Sequence, residues 1–199
     1  MKPTFSGAIL AGGMSRRMGF NKAFIKLDGI PIIERAGRAM AAVFSSPVII
    51  ANDTTLYSHL GLPVYPDVIK DAGSLGGIYT ALYHSKEEYA FVTACDMPWL
   101  DAGCIRRVLE NVEGEDCVIP LISGRLHPMH AAWSKNCMKE IETMIDEGNL
   151  RINDLLGRLR IKKLGEESFK GLPIVKSVEN VNTKDDLERT GLDDERQKP

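Results

Sequence analysis

The stretch ILAGGMSRRMGFNK, residues 9–22, ends an apolar run in two glycines and then crowds Arg16, Arg17 and Lys22 into the residues that follow. Read backwards, FSGAILAGG (5–13) is a continuous apolar run followed by a breaker, the pattern of a short buried strand entering a glycine loop. Glycines let backbone N–H groups come close to an oxyanion, and Arg and Lys add charge-assisted hydrogen bonds to it. The loop is not a dinucleotide fingerprint, because it runs on well past its glycines before a helix begins. It is not a P-loop either, since Gly13 and Gly19 are separated by five residues and Lys22 comes two residues late. Composition alone leaves open a surface loop with solvated cations.

Position favours an anion site. PVIIAND (47–53) and LPVYPD (62–67) read as a second and third strand, and YAFVTACDMPWL (89–100) as a fourth that stops at Asp96. PIIERAGRAMAAVF (31–44), with Pro31 at the first helical position, LGGIYTALYHSK (75–86) and DAGCIRRVLENV (101–112), with Asp101 as N-cap, have helical spacing. Alternating helices and uniformly apolar strands predict an α/β fold, a single three-layer α/β/α domain whose parallel sheet is covered on both faces. Beyond residue 115, DCVIPLI and LHPMHAAWS read as strands, NCMKEIETMIDEG as a helix and NDLLGRLRIKKL as a helix turning into a strand, so the sheet is expected to become mixed. Residues 1–190 are expected to form that domain, and 191–199 a frayed tail.

In an open parallel sheet, ligands bind outside the carboxyl ends of the strands. The first strand delivers the glycine loop to that edge and the fourth delivers Asp96. A carboxylate held there by the following Pro98 suits Mg²⁺, which takes one or two carboxylates and completes its shell with phosphate oxygens. DAGSLGG (71–77) brings three more glycines to the same edge beside a helix start. Glycines, cations and a carboxylate converging on one edge describe a nucleotide site.

The bulk properties agree. The 199 residues suit one domain and 44% are hydrophobic; a net charge of −2 gives no sign of a nucleic-acid or polybasic membrane partner. No apolar run approaches the ~20 residues of a membrane span, and the N-terminal apolar stretch is too short for a signal peptide. The cysteines at 95, 104, 117 and 137 form no C-x-x-C and read as reduced thiols of a cytoplasmic protein. His127 and His130, three residues apart on an expected strand, would point to opposite faces and make a poor metal pair.

LAGGMSRRMGFNK (10–22) resembles the L-A-G-G-x-S-x-R-M-G-x-x-K signature of nucleotidyltransferases, in particular of the molybdenum cofactor guanylyltransferases. The resemblance extends along the chain. GSLGG (73–77) is similar to a G-P-L-A-G segment, with Ser74 for proline and Gly76 for alanine. ACDMPWL (94–100) is similar to C-D-x-P-x-[LI], RLHPMHAAW (125–133) to a segment on the pterin side, and NVNT (180–183) to a C-terminal motif. The resemblance implies a Rossmann-like nucleotidyltransferase domain that transfers GMP from GTP to molybdenum-bearing molybdopterin and releases pyrophosphate, with Mg²⁺ as cofactor. It implies that Leu10, Ala11, Gly12 and Gly13 contact guanosine and phosphate through backbone, and that Arg17 and Lys22 hold the triphosphate. Asp96 would bind the metal, Asp67 would contact the nucleotide, and Asn182 would lie toward the pterin.

On this reading 1–112 forms the nucleotide-binding part and 113–190 the acceptor side, where Arg125 and His127 either face the pterin phosphate or are ordinary surface residues. A handover to other cofactor-biosynthesis proteins is compatible with it. A cytidylyl- or sugar-nucleotidyltransferase would share the glycine loop and the aspartate, and a non-catalytic GTP-binding module would share the loop. Met14, Met18, Trp99 and Trp133 are expected to pack, and Arg106 and Arg107 to be solvated.

Overall fold

The apolar run at the N-terminus becomes strand β1 (Phe5–Leu10), and it lies inside the sheet, not at its rim. The structure is a computed structural model and describes residues 3–12 and 22–181. After β1 come a hairpin of β2 (Lys26–Leu27) and β3 (Ile30–Pro31), then α1 (Ile32–Ala41), β4 (Val48–Ile50), β5 (Val64–Tyr65), α2 (Gly73–His84) and β6 (Tyr89–Ala94). The second half runs through α3 (Ala102–Glu110), β7 (Cys117–Ile122), β8 (Arg125–Leu126), β9 (His130–Ser134), α4 (Met138–Asp146), α5 (Ile152–Arg158), β10 (Ile161–Leu164) and α6 (Ile174–Ser177).

The main sheet has the order β10-β7-β9-β6-β1-β4-β5, with β8 added to β7 as a hairpin. β1 pairs in parallel with both β4 and β6, β4 with β5, and β7 with β10. β9 runs antiparallel between β6 and β7. The sheet is therefore mixed and mainly parallel, as expected. From β1 the chain steps outward to β4 and β5, then crosses back through α2 to β6 on the other side of β1. The direction of winding thus reverses between β1 and β6, which opens a crevice at their carboxyl ends.

Alternation along each strand builds two cores. Ile9, Ile49 and Phe91 face α1 and α3, packing on Ile33, Met40 and Ile105. Ala8, Ile50, Val92 and Trp133 face α2, α4 and α5, packing on Ile78, Ile141 and Leu155. Gly7 permits the tight approach of the first helix layer: a Cβ there would lie 2.4 Å from the Phe44 ring.

Several elements differ from the sequence reading. Pro31 is the N-cap and not the first helical residue; its ψ of 142° keeps it extended because it pairs with Lys26 in the hairpin. That hairpin turns through Asp28 and Gly29, both at positive φ, the Asp-Gly signature of a tight hairpin. Two-residue strands carry no alternation from which to read them. The expected strand 126–134 is broken at Pro128, and the His130 N–H closes a turn onto the His127 carbonyl at 2.9 Å. His127 and His130 therefore do not share a strand. Trp133 is buried in the core as expected. Arg106 and Arg107 are more than solvated charges, because Arg106 donates to the Ala42 carbonyl at 2.6 Å and Arg107 to that of Ser168. Met14, Met18 and the tail 191–199 lie outside the described residues.

Candidate active site

The end of β1 is held from both sides beyond its last paired residue. The Ala11 N–H donates to the Ile50 carbonyl at 2.8 Å, and the Leu10 carbonyl accepts from Cys95 N–H at 3.0 Å. The Ala11 carbonyl also accepts the hydroxyl of buried Tyr57 at 3.2 Å, and that ring stacks on Phe24. The start of the glycine loop is thus a fixed platform, with Gly12 exposed at its tip.

Asp67 reaches this platform from the end of β5. A Cβ on Gly12 would lie 3.6 Å from Asp67 Oδ2, so glycine backbone and carboxylate are immediate neighbours. Asn52, two residues past β4, fixes that carboxylate reciprocally: its Nδ2 donates to Oδ2 at 2.9 Å, and its Oδ1 accepts the Asp67 N–H at 3.1 Å. Partial burial raises the Asp67 pKa, and the hydrogen bond from Asn52 opposes that rise. The next residue is tied to α2, since the Val68 N–H donates to buried Thr80 Oγ1 at 2.9 Å. The sequence reading did not single out Asn52. Its signal was available in the strand VII ending in Ala-Asn-Asp at the same edge as the glycine loop.

The glycines of 71–77 prove to be mainly a packing device. Gly76 and Gly77 are buried, and a Cβ on Gly77 would meet the Leu10 side chain at 2.8 Å. The start of α2 therefore seats directly on the end of β1. Of the three, only Gly73 is exposed at a positive φ.

Asp96 follows β6 on the other side of β1. It is half-buried, with its Oδ1 shut off from solvent, and its carbonyl accepts the Val181 N–H at 2.9 Å. Asp101 caps α3 as expected, its side chain accepting from Cys104 N–H at 2.9 Å. Among the described residues no group of three or more His, Cys, Asp or Glu side chains gathers to cage a metal. One carboxylate at the sheet edge instead fits a hard divalent cation that takes much of its shell from substrate oxygens.

Beside Asp96 opens a cleft of ≈ 660 Å³ lined by Met97, Ile122, Arg125, His127, Val178 and Asn180, among others. Arg125 is exposed and His127 half-buried. Burial lowers the His127 pKa; a hydrogen bond to the Ile122 backbone opposes the fall, and the nearby Arg125 adds to it. Leu10, Ala11, Gly12 and Asp67 are thus brought together at one end of the edge. Asp96 lies across β1 from them, and Arg125 and His127 lie beyond it. Gly13, Arg17, the Lys22 side chain and Asn182 fall outside the described residues.

A mainly parallel sheet whose central β1 ends at Gly12 between two aspartates has the architecture of an α/β nucleotide-binding domain. Residues 7–162 match the MobA-like NTP transferase domain, and the chain belongs to that family. It is similar to a molybdenum cofactor guanylyltransferase of Desulfosudis oleivorans, with 35% identity over 92% of this chain and 93% of the relative. The crystal structure of molybdopterin-guanine dinucleotide biosynthesis protein A from Archaeoglobus fulgidus superposes with a TM-score of 0.80 at 28% identity, covering 92% of this chain and 95% of that one. The same fold recurs at 10% identity and a TM-score of 0.70 in 4-diphosphocytidyl-2C-methyl-D-erythritol synthase from Anaerococcus prevotii, over 95% of this chain and 97% of that one. Among the described residues no helix is long and apolar enough to cross a membrane.

Proposed function

We propose that this protein transfers GMP from GTP to the phosphate of molybdenum-bearing molybdopterin, giving a guanine dinucleotide and pyrophosphate, in the cytoplasm and with Mg²⁺. The observation that carries the reading is the Asn52–Asp67 pair locked beside Gly12. Guanine presents N1–H and N2–H₂ donors, and a carboxylate with one oxygen already held by Asn52 offers the other as an acceptor of fixed direction. The guanylyltransferase name of a relative aligned over almost the whole chain supports the same base.

The glycine platform 10–13 receives nucleoside and phosphate through backbone groups. Arg17 and Lys22 hold the triphosphate, and Asp96 holds the metal. When bound, Mg²⁺ supplies charge neutralisation on the phosphate oxygens. The reaction is in-line attack of the acceptor phosphate oxygen on the α-phosphorus with pyrophosphate leaving, so positioning and electrostatics dominate and no protein nucleophile is needed. The acceptor enters from the Arg125–His127 cleft beside Asp96, and Asn182 of the NVNT motif is assigned to the pterin on the family resemblance alone. This divides the domain into a nucleotide-binding part, 1–112, and an acceptor side, 113–190, from which other cofactor-handling proteins would take the product.

The test is a titration of GTP, CTP, ATP and UTP with Mg²⁺ against wild type and Lys22→Ala. Selective GTP binding that weakens in the variant is expected. Preference for CTP would keep the fold and mechanism and change the product; no nucleotide binding by folded protein would overturn the reading.

A further inference from the structure

Three observations converge on α6, a four-residue helix that neither the glycine loop nor the metal aspartate explains. Ser177 is fully buried, and its Oγ lies 2.9 Å from Nε2 of His130, which is also fully buried. The same Oγ accepts the Asp101 N–H at 3.0 Å. Four residues on, the Val181 N–H donates to the Asp96 carbonyl at 2.9 Å. The loop 96–101 and the segment 177–181 are therefore clipped together at both ends, and His130 ties that pair to β9 in the middle of the sheet. The other faces of the segment are not idle: Val175, Val178 and Asn180 form one wall of the cleft beside Asp96.

We propose that His130 and Ser177 act as a positioning clasp that sets the acceptor-side wall, residues 174–181, against the loop carrying Asp96. Neither residue lines the cleft, so the pair acts through what it holds and not by touching substrate. The Phe91 ring meets the imidazole edge-on at 5.2 Å and fixes its plane, and burial keeps it neutral, with its pKa pushed down to about 4. A neutral imidazole shares one hydrogen bond with a hydroxyl without bringing a charge into the core. The arrangement explains why a polar pair occupies a position where two apolar side chains would pack: a directional bond fixes the register of a helix only four residues long, which apolar contacts alone fix less sharply. Because Asp101 N–H shares the same oxygen, a slip of α6 is felt at the start of α3.

The catalytic purpose of the clasp rests on the transfer reaction proposed above, whereas its existence does not. The experiment therefore reads both. Amide hydrogen exchange over 174–181, nucleotide affinity, and the KM for molybdopterin are measured on wild type, His130→Phe, Ser177→Ala and His130→Gln. Phe keeps the ring volume, Ala at 177 is a small change should Phe fail to fold, and Gln restores a hydrogen-bonding group. The expected result is lost protection at Val181 and a molybdopterin KM raised about five- to tenfold in the Phe and Ala variants, the scale of one buried hydrogen bond. GTP affinity stays within twofold, and Gln recovers most of both effects. Unchanged protection at Val181 would overturn the clasp whatever the enzyme does. Lost protection with an unchanged molybdopterin KM would overturn its role in positioning the acceptor. A wild type that protects Val181 but transfers no GMP would remove the reaction and with it the purpose of the clasp.

Discussion

Asp67 and Asp96 are both aspartates at the carboxyl edge of one sheet, yet their surroundings differ. Asp67 is held by a neutral amide in a half-buried position that raises its pKa. Protonation would turn its oxygen from an acceptor into a donor and set it against the guanine donors. GTP affinity is therefore expected to weaken as pH falls into the raised titration range of Asp67. Asn52→Ala removes the contact that lowers this pKa, so the falling limb should move to higher pH in a binding titration, and Asp67→Asn should flatten it. Asp96 sits beside the Arg125–His127 cleft with its loop pinned to Val181. Asp96→Asn is expected to lower kcat by about 10²- to 10³-fold, the usual cost of removing one group that stabilises the transition-state charge, and steady-state kinetics at saturating Mg²⁺ would show it.

At the scale of the element, β1 has a helix packed closely on each face. Gly7 lets Phe44 and Met40 lie against the strand, and Gly77 lets α2 rest on Leu10. Gly7→Ala forces its Cβ into the Phe44 ring and should destabilise the fold by roughly 1–3 kcal/mol, the range for overpacking a dense core, as measured by urea denaturation. The strands β1 and β6 and the capped helix α3 were legible in the sequence because long apolar runs and an aspartate cap are strong local signals. The β2–β3 hairpin and α6 were not, because elements of two to four residues are fixed by their tertiary contacts. Pro128 interrupted what read as one strand, and that interruption separates His127, on the cleft, from His130, in the core.

Across the whole molecule, the topology decides the site. Winding outward to β4 and β5 and back to β6 places Asn52, Asp67 and Asp96 around the end of β1, although they are spread over 45 residues of chain. The aspartates could be nominated from strand ends and family motifs. The Asn52–Asp67 pairing could not, since it depends on the register of two short strands. The buried His130 also leaves a mark on global stability. Its folded pKa of about 4 lies below the unfolded value of 6.5, so below pH 6.5 the unfolded chain takes up a proton that the native state refuses. Its contribution to stability is therefore intact above pH 6.5 and is lost as pH falls toward 4, amounting to on the order of 3 kcal/mol. The difference in Tm between wild type and His130→Phe should narrow over that window, as followed by thermal denaturation at a series of pH values.

The most direct measurement mixes GTP and CTP in equal amounts with Mg²⁺, molybdenum-bearing molybdopterin and the protein, and identifies the products by mass spectrometry. The account predicts the guanine dinucleotide, with one pyrophosphate released per dinucleotide formed and none when the pterin is omitted. A cytosine dinucleotide as the main product would contradict the assignment of Asp67 as a reader of guanine. Nucleotide binding without pyrophosphate under any of these conditions would contradict transfer itself.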